Sequence, residues 1–127
     1  MDQFLRVGID IGSTTIKVVA LNRDDNIVYS CYLRHNSELR ETLLWILQEL
    51  AVKLGDFFPI KIAMTGSGAL DISHRLGLNF IQEVNAEAFA VRKLIPKANA
   101  VIELGGEDAK IVFFYKNKTE QNMNDTC

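Results

Sequence analysis

The stretch Val7-Gly8-Ile9-Asp10-Ile11-Gly12-Ser13-Thr14-Thr15-Ile16-Lys17 constrains this chain more than any other. Successive side chains of an extended strand point to opposite faces, so Leu5, Val7, Ile9 and Ile11 share one face while Phe4, Arg6, Gly8 and Asp10 share the other. An apolar strand therefore ends on a carboxylate. Beside it comes a tight turn carrying Gly12 and hydroxyls, and then a second strand. A turn of this kind exposes backbone N–H groups and suits a nucleotide phosphate and its metal. Gly12 lets the backbone approach closely, amides and hydroxyls hold the anion, and the carboxylate holds hydrated magnesium. The same residues also suit an ordinary hairpin in which the Asp and Gly only make the turn.

Length and charge narrow the classes. A chain of 127 residues is one domain or a fragment of a larger one, and its 48% hydrophobic content supports a packed core rather than disorder. The net charge of −2 gives no reason to expect nucleic acid or an anionic membrane surface. No charged lead with an apolar run opens the chain, and no stretch approaches the ~20 apolar residues of a membrane span. The expected compartment is the cytoplasm. Two cysteines, Cys31 and Cys127, do not make a disulfide framework. Cys31 falls in a strand as a small core residue. The ending Met-Asn-Asp-Thr-Cys suggests a sequence cut short.

Periodicity predicts strands at 4–11, 15–22 and 27–34, joined by short turns as an antiparallel meander. A helix over 37–54 carries Leu39, Leu43, Ile46, Leu47, Leu50 and Leu54 as one apolar stripe, with Asn36 or Ser37 as its cap and Gly55 as its stop. A short strand, 60–64, runs into the small-residue turn Thr65-Gly66-Ser67-Gly68 and a helical piece over 70–76. An extended run over 80–84 leads to a helix over 85–95, capped by Asn85, with Glu87 in its first turn. There Glu87 suits either the helix dipole or a metal-bound water. His35 and His74 read as surface or turn residues.

Strands over 99–104 and 109–115 flank Gly105-Gly106-Glu107-Asp108. The second half thus repeats the device of the first: strand, acidic residue, glycine turn, strand. Two such hairpins, around Asp10 and Glu103, would face each other across one anion. The Walker spacing and the dinucleotide Gly-x-Gly-x-x-Gly pattern are both absent, as is any Ser/His/Asp or Cys/His set.

These motifs together resemble the actin-like ATPases, a superfamily that includes sugar kinases, acetate kinase and the heat-shock 70 chaperones. Gly8-Ile9-Asp10-Ile11-Gly12-Ser13-Thr14-Thr15 is similar to their first phosphate motif, Asn85-Ala86-Glu87-Ala88 to their first connecting motif, and Leu104-Gly105-Gly106 to their second phosphate motif. Thr65-Gly66-Ser67-Gly68, Glu83-Val84-Asn85-Ala86-Glu87 and Gly105-Gly106-Glu107-Asp108-Ala109-Lys110 resemble one branch more closely. It holds the activator ATPases of 2-hydroxyacyl-CoA dehydratases and the ATPase subunits of benzoyl-CoA reductase.

The resemblance implies an α/β fold: a ribonuclease-H-like (actin-like ATPase) lobe spanning 1–127. It would hold a mixed five-stranded-type sheet with a three-stranded antiparallel meander and flanking helices, the second lobe being absent. It implies ATP and Mg2+ as cofactors, Asp10 holding the magnesium water shell, and Gly12, Ser13, Thr14 and Thr15 touching phosphates with Lys17 as a charge partner. Glu87 would position water or metal, Glu103 would serve the second phosphate motif, and Gly105 and Gly106 would contact the β- and γ-phosphates. Cys127 would be one ligand of a [4Fe–4S] cluster shared across a homodimer, which passes electrons to an acyl-CoA dehydratase or reductase. Two departures stand out. Glu103 replaces the usual Asp, and Glu107 the frequent Gln, adding negative charge near a polyphosphate unless metal or Lys110 offsets it. A small-molecule kinase of the same superfamily and a non-catalytic nucleotide-binding or assembly module are the competing readings.

Overall fold

The computed structural model describes residues 4–55, 59–105, 108–115 and 118–124. The chain forms two compact units, Met1–Ile81 and Gln82–Cys127. The first unit contains β1 (Leu5–Ile11), β2 (Thr15–Leu21), β3 (Ile27–Arg34), α1 (Leu39–Leu54), β4 (Ile60–Thr65), α2 (Leu70–Leu76) and β5 (Asn79–Phe80). Its five strands form one mixed sheet in the order β3-β2-β1-β4-β5. β1 is central, antiparallel to β2 and parallel to β4. The parallel pairing requires a crossover, and the chain makes it through α1 after completing the meander. This is the mixed five-stranded α/β architecture that the motifs imply, a three-stranded antiparallel meander extended by two parallel strands.

Strand alternation sets the core. Val7, Ile9 and Ile11 of β1, Ile16, Val18 and Ala20 of β2, Tyr29 and Met64 are buried together with Leu43, Ile46 and Leu50 of α1. The helix stripe covers one face of the sheet. Tyr29 reaches the edge of this core and donates its hydroxyl to Glu49 Oε2 at 2.9 Å. That bond lowers the Glu49 pKa, and burial together with the bond raises that of Tyr29. Cys31 is half-buried against the same core.

Several boundaries differ from the sequence reading. α1 begins at Leu39, and the residue before it, Glu38, makes no side-chain cap. Asn36 and Ser37 have φ of 48° and 63°, so they turn the chain in the left-handed region instead of capping it. A capping residue needs extended φ and ψ. His35 is not a surface residue: it is 8% exposed and supports the turn described below. The second unit starts with α3 (Glu83–Leu94), two residues ahead of the expected Asn85 cap. Extended Gln82 accepts the N–H groups of Asn85 and Ala86 at 3.0 Å, which brings Glu83 and Val84 into the helix. The extended run is therefore only the two residues of β5, and Glu87 lies in the second helical turn.

β6 (Ala100–Leu104), β7 (Ala109–Tyr115) and β8 (Lys118–Asn124) complete the second unit as a three-stranded antiparallel sheet in that order. β8, Lys-Thr-Glu-Gln-Asn-Met-Asn, is missed by periodicity because it has no apolar alternation to read. No helix among the described residues is long and apolar enough to cross a membrane.

The turn after β4 fits tightly against the end of β1. Gly68 donates its N–H to Ile11 O at 2.9 Å. Gly66 has φ +99°, and a Cβ there would lie 2.2 Å from Ile11 O and 2.6 Å from Asp10 Oδ1. Gly77, at the end of α2, has φ +66° but open space around it. Gly66→Ala combines left-handed strain with a collision against backbone and is expected to cost about 2–4 kcal/mol of stability. Gly77→Ala carries the strain alone, about 1 kcal/mol. Urea unfolding of both variants checks the difference; equal losses would show that the seam at Gly66 relaxes freely.

Candidate functional site

The first unit assembles the candidate site from the end of β1, the β1–β2 turn and the β4–α2 turn. Asp10 stands opposite Lys17 across the antiparallel β1–β2 pair and opposite Thr65 across the parallel β1–β4 pair. Paired residues share a face, so all three point away from the core that Ile9 and Ile11 enter. Lys17 Nζ donates to Asp10 Oδ2 at 3.2 Å and lies 5.7 Å from the centre of the Tyr32 ring. Both charged side chains are more than one-third exposed, so this pair contributes at most about 1 kcal/mol. Its significance is positional, because the Asp10 carboxylate already holds a cation.

The turn itself is short. Gly12 N–H bonds Thr15 O at 2.9 Å, which leaves Ser13 and Thr14 exposed at the tip. A Cβ on Gly12 would meet nothing closer than 3.7 Å, so the chain's own packing does not demand glycine there. The room it leaves suits an incoming anion. His35 braces the turn from below. Its imidazole Nε2 is 3.2 Å from Gly12 O, and its backbone N–H bonds Thr14 O at 3.0 Å. A buried histidine on two turn residues is a positioning element that sequence reasoning missed, since His35 has no partner at any recognisable spacing.

The second unit holds a different arrangement. Lys110 of β7 is only 3% exposed. Its ammonium lies 2.7 Å from Glu83 Oε2 and 2.9 Å from Glu103 Oε2. Glu103 and Lys110 are direct cross-strand partners, while Glu83 reaches them from the first turn of α3. Burial disfavours the Lys110 charge, but hydrogen bonds to Glu83 and Glu103 outweigh it and raise its pKa. Glu87, one helical turn beyond Glu83, joins the cluster. Burial, then a hydrogen bond with Glu103 and its charge, push the Glu87 pKa up to about 7. One lysine thus serves carboxylates that would otherwise repel, and one of these keeps a proton near neutrality. Lys110 is committed to Glu83 and Glu103, a role the sequence did not disclose. Gly105 N–H bonds Asp108 O at 2.8 Å and closes the β6–β7 turn. Gly106, Glu107 and Cys127 lie outside the described residues.

Asp10, Gly12, Ser13, Thr14, Thr15 and Lys17 are therefore brought together in the first unit, and Glu87 and Glu103 in the second. Among the described residues no group of three or more His, Cys, Asp or Glu side chains is placed to hold a metal ion. Thr65 and Gly66 belong beside Asp10, a placement signalled in the sequence only by a small-residue turn following a strand.

Residues 7–127 match the BadF/BadG/BcrA/BcrD ATPase family, and the chain belongs to it. It is 32% identical over 127 residues to a 2-hydroxyisocaproyl-CoA dehydratase activator of Clostridioides difficile, covering 95% of this chain and 46% of the relative. Among solved structures, the Clostridium difficile activator with bound ADPNP superimposes with a TM-score of 0.73 at 27% identity, covering 97% of this chain and 46% of that one. Component A of (R)-2-hydroxyglutaryl-CoA dehydratase from Acidaminococcus fermentans has a TM-score of 0.75 at 21% identity over 98% of this chain and 48% of its own. It shares the fold. The chain thus spans about half the length of the relatives it matches.

The raised Glu87 pKa has a defined consequence for stability. Between its ordinary 4.5 and about 7 the folded chain keeps a proton that the unfolded chain has lost. Stability from this group is therefore full below pH 4.5, falls as pH rises to about 7 and is level above it. Glu87→Gln, which keeps a hydrogen-bonding group without the titration, is expected to flatten that slope relative to the parent. Urea midpoints across the same pH range test this, and parallel profiles for the two chains would refute it.

Proposed function

We propose that this chain belongs to an ATP-hydrolysing activator that drives electron transfer into a 2-hydroxyacyl-CoA dehydratase or a related CoA-substrate enzyme. The observation that carries the reading is the Asp10 carboxylate, half-exposed at the end of an apolar strand beside a hydroxyl-bearing turn, in a member of an ATPase family. The Clostridium difficile relative with bound ADPNP adds a nucleotide, and the name of the curated relative adds a dehydratase as partner.

In this reading Asp10 holds the water shell of Mg2+. The fit is supported by the cation that Asp10 already carries, the Lys17 ammonium at 3.2 Å. Bound magnesium would neutralise phosphate charge. The remaining work falls to the chain's own groups. Gly12 leaves room for the triphosphate, the Ser13, Thr14 and Thr15 hydroxyls and amides orient it, and Lys17 moves from Asp10 to phosphate oxygen. Glu87 positions a water, and Glu103 orients Glu87 through their hydrogen bond. Gly105 and Gly106 approach the β- and γ-phosphates.

The iron–sulfur part of the reading rests on Cys127, which would supply one ligand of a [4Fe–4S] cluster bridging a cytoplasmic homodimer. Cys31 is a free thiol in β3 and takes no part.

The test uses the whole gene product purified without oxygen, beside Cys127→Ala and Asp10→Asn. About four irons per dimer, with a cluster signal in electron paramagnetic resonance that Cys127→Ala loses, is the expected result. ATP hydrolysis should fall at least about 100-fold in Asp10→Asn, a few kcal/mol of transition-state stabilisation. Iron-free protein with Asp10-dependent hydrolysis would remove the redox half of the proposal. Hydrolysis unaffected by Asp10→Asn would remove the nucleotide half.

A further inference from the structure

One polar group in the first unit has no place in that account. Thr65 Oγ1 is a buried oxygen without a hydrogen-bond partner among the described residues. Buried polar groups are almost always satisfied, because leaving one unpaired forfeits its hydration. Thr65 is the last residue of β4 and the register partner of Asp10, on the face that also carries Lys17. The turn that follows is pressed against the phosphate hairpin. Gly68 N–H bonds Ile11 O at 2.9 Å, and a Cβ on Gly68 would lie 2.7 Å from Ile11 Cγ2. A Cβ on Gly66 would lie 2.6 Å from Asp10 Oδ1. Two glycines thus remove the side chains that would hold the turn away from Asp10, and exposed Ser67 stands between them. An ordinary strand-to-helix turn needs neither this proximity to a carboxylate nor an unpaired hydroxyl next to it.

We propose that the Thr65–Gly68 turn is a second wall of the site for a divalent cation bound to a nucleoside triphosphate, with Thr65 as a positioning residue for the Asp10 carboxylate. The inference rests on the reading of the β1–β2 hairpin given above and adds a residue to it. Lys17 supplies the hydrogen bond that orients Asp10. A cation that displaces the Lys17 ammonium removes that bond. Asp10 then needs another donor to fix its orientation, and the Thr65 hydroxyl is the uncommitted one beside it. The unpaired Thr65 oxygen is a partner held in reserve for the Asp10 carboxylate once a cation binds. Ser67, at the exposed tip, offers its hydroxyl and backbone N–H to the phosphate side.

The two states make opposite demands on Thr65, and this is what the test reads. Thr65→Val keeps the β-branched shape and removes the hydroxyl. Thr65→Ser keeps the hydroxyl, and Asp10→Asn tests the hairpin itself. The probe is Mn2+–ATP, titrated into the whole gene product to millimolar concentration and followed by the paramagnetic signal of free Mn2+, with melting of each variant without nucleotide measured alongside. Thr65→Val is expected to melt a few degrees above the parent, having lost only an unpaired hydroxyl. It should bind Mn2+–ATP about tenfold more weakly, while Thr65→Ser stays within about twofold. Parent-like affinity in Thr65→Val, or equal weakening in both Thr65 variants, would overturn the inference while Asp10→Asn still loses binding. If Asp10→Asn binds as the parent does, the hairpin reading fails first and the Thr65 role with it.

Discussion

β1 is the strand on which everything else in the first unit depends. It lies between a partner running against it and one running with it, so its backbone is satisfied on both sides. Its alternate residues then have separate tasks. Val7, Ile9 and Ile11 are buried in the core, and Asp10 is carried on the opposite face. A slip of one residue in register would bury the carboxylate and expose the isoleucines. The apolar packing that stabilises the sheet therefore also fixes where the acid stands.

The two units hold their carboxylates by different physics. Asp10 is half-exposed and meets a half-exposed lysine, a weak pair that a stronger cation would displace. Glu83, Glu87 and Glu103 gather around a lysine that is itself buried, so the ammonium has carboxylates in place of water as its partners. There the charge imbalance is relieved by retaining a proton on Glu87. Glu103 spends its carboxylate on Lys110 and Glu87.

Much of the fold was legible in the residues. The strands over 27–34 and 109–115 and the helix over 70–76 have the boundaries that alternation and glycine stops suggest. The helix starts were not. Asn36, Ser37 and Asn85 are good capping residues by type, yet the backbone uses Glu38 and Gln82, because left-handed turn geometry and an extended Gln82 set where each helix begins. β8 was illegible for another reason: its polar sequence carries no period, and only pairing with β7 makes it a strand. In the candidate site, Asp10, Gly12 and Lys17 announce themselves within eleven residues of chain. Thr65 and His35 do not, since each acquires its neighbours from a different element.

What the sequence determined by itself was the chemistry of short range: an apolar strand ending in an acid, a hydroxyl-bearing glycine turn, and a second strand bringing Lys17 back opposite Asp10. Those residues are close along the chain, so alternation and turn geometry suffice to place them. The tertiary structure decided the long-range part. Parallel pairing of β1 with β4 set Thr65 beside Asp10, the fold of β3 into α1 buried His35 under the turn, and the α3–β7 packing drew Glu83 to Lys110. Each of these contacts joins residues about 20 to 55 positions apart, and no local period encodes a pairing at that separation; only the burial of apolar surface and the completion of backbone hydrogen bonds select it.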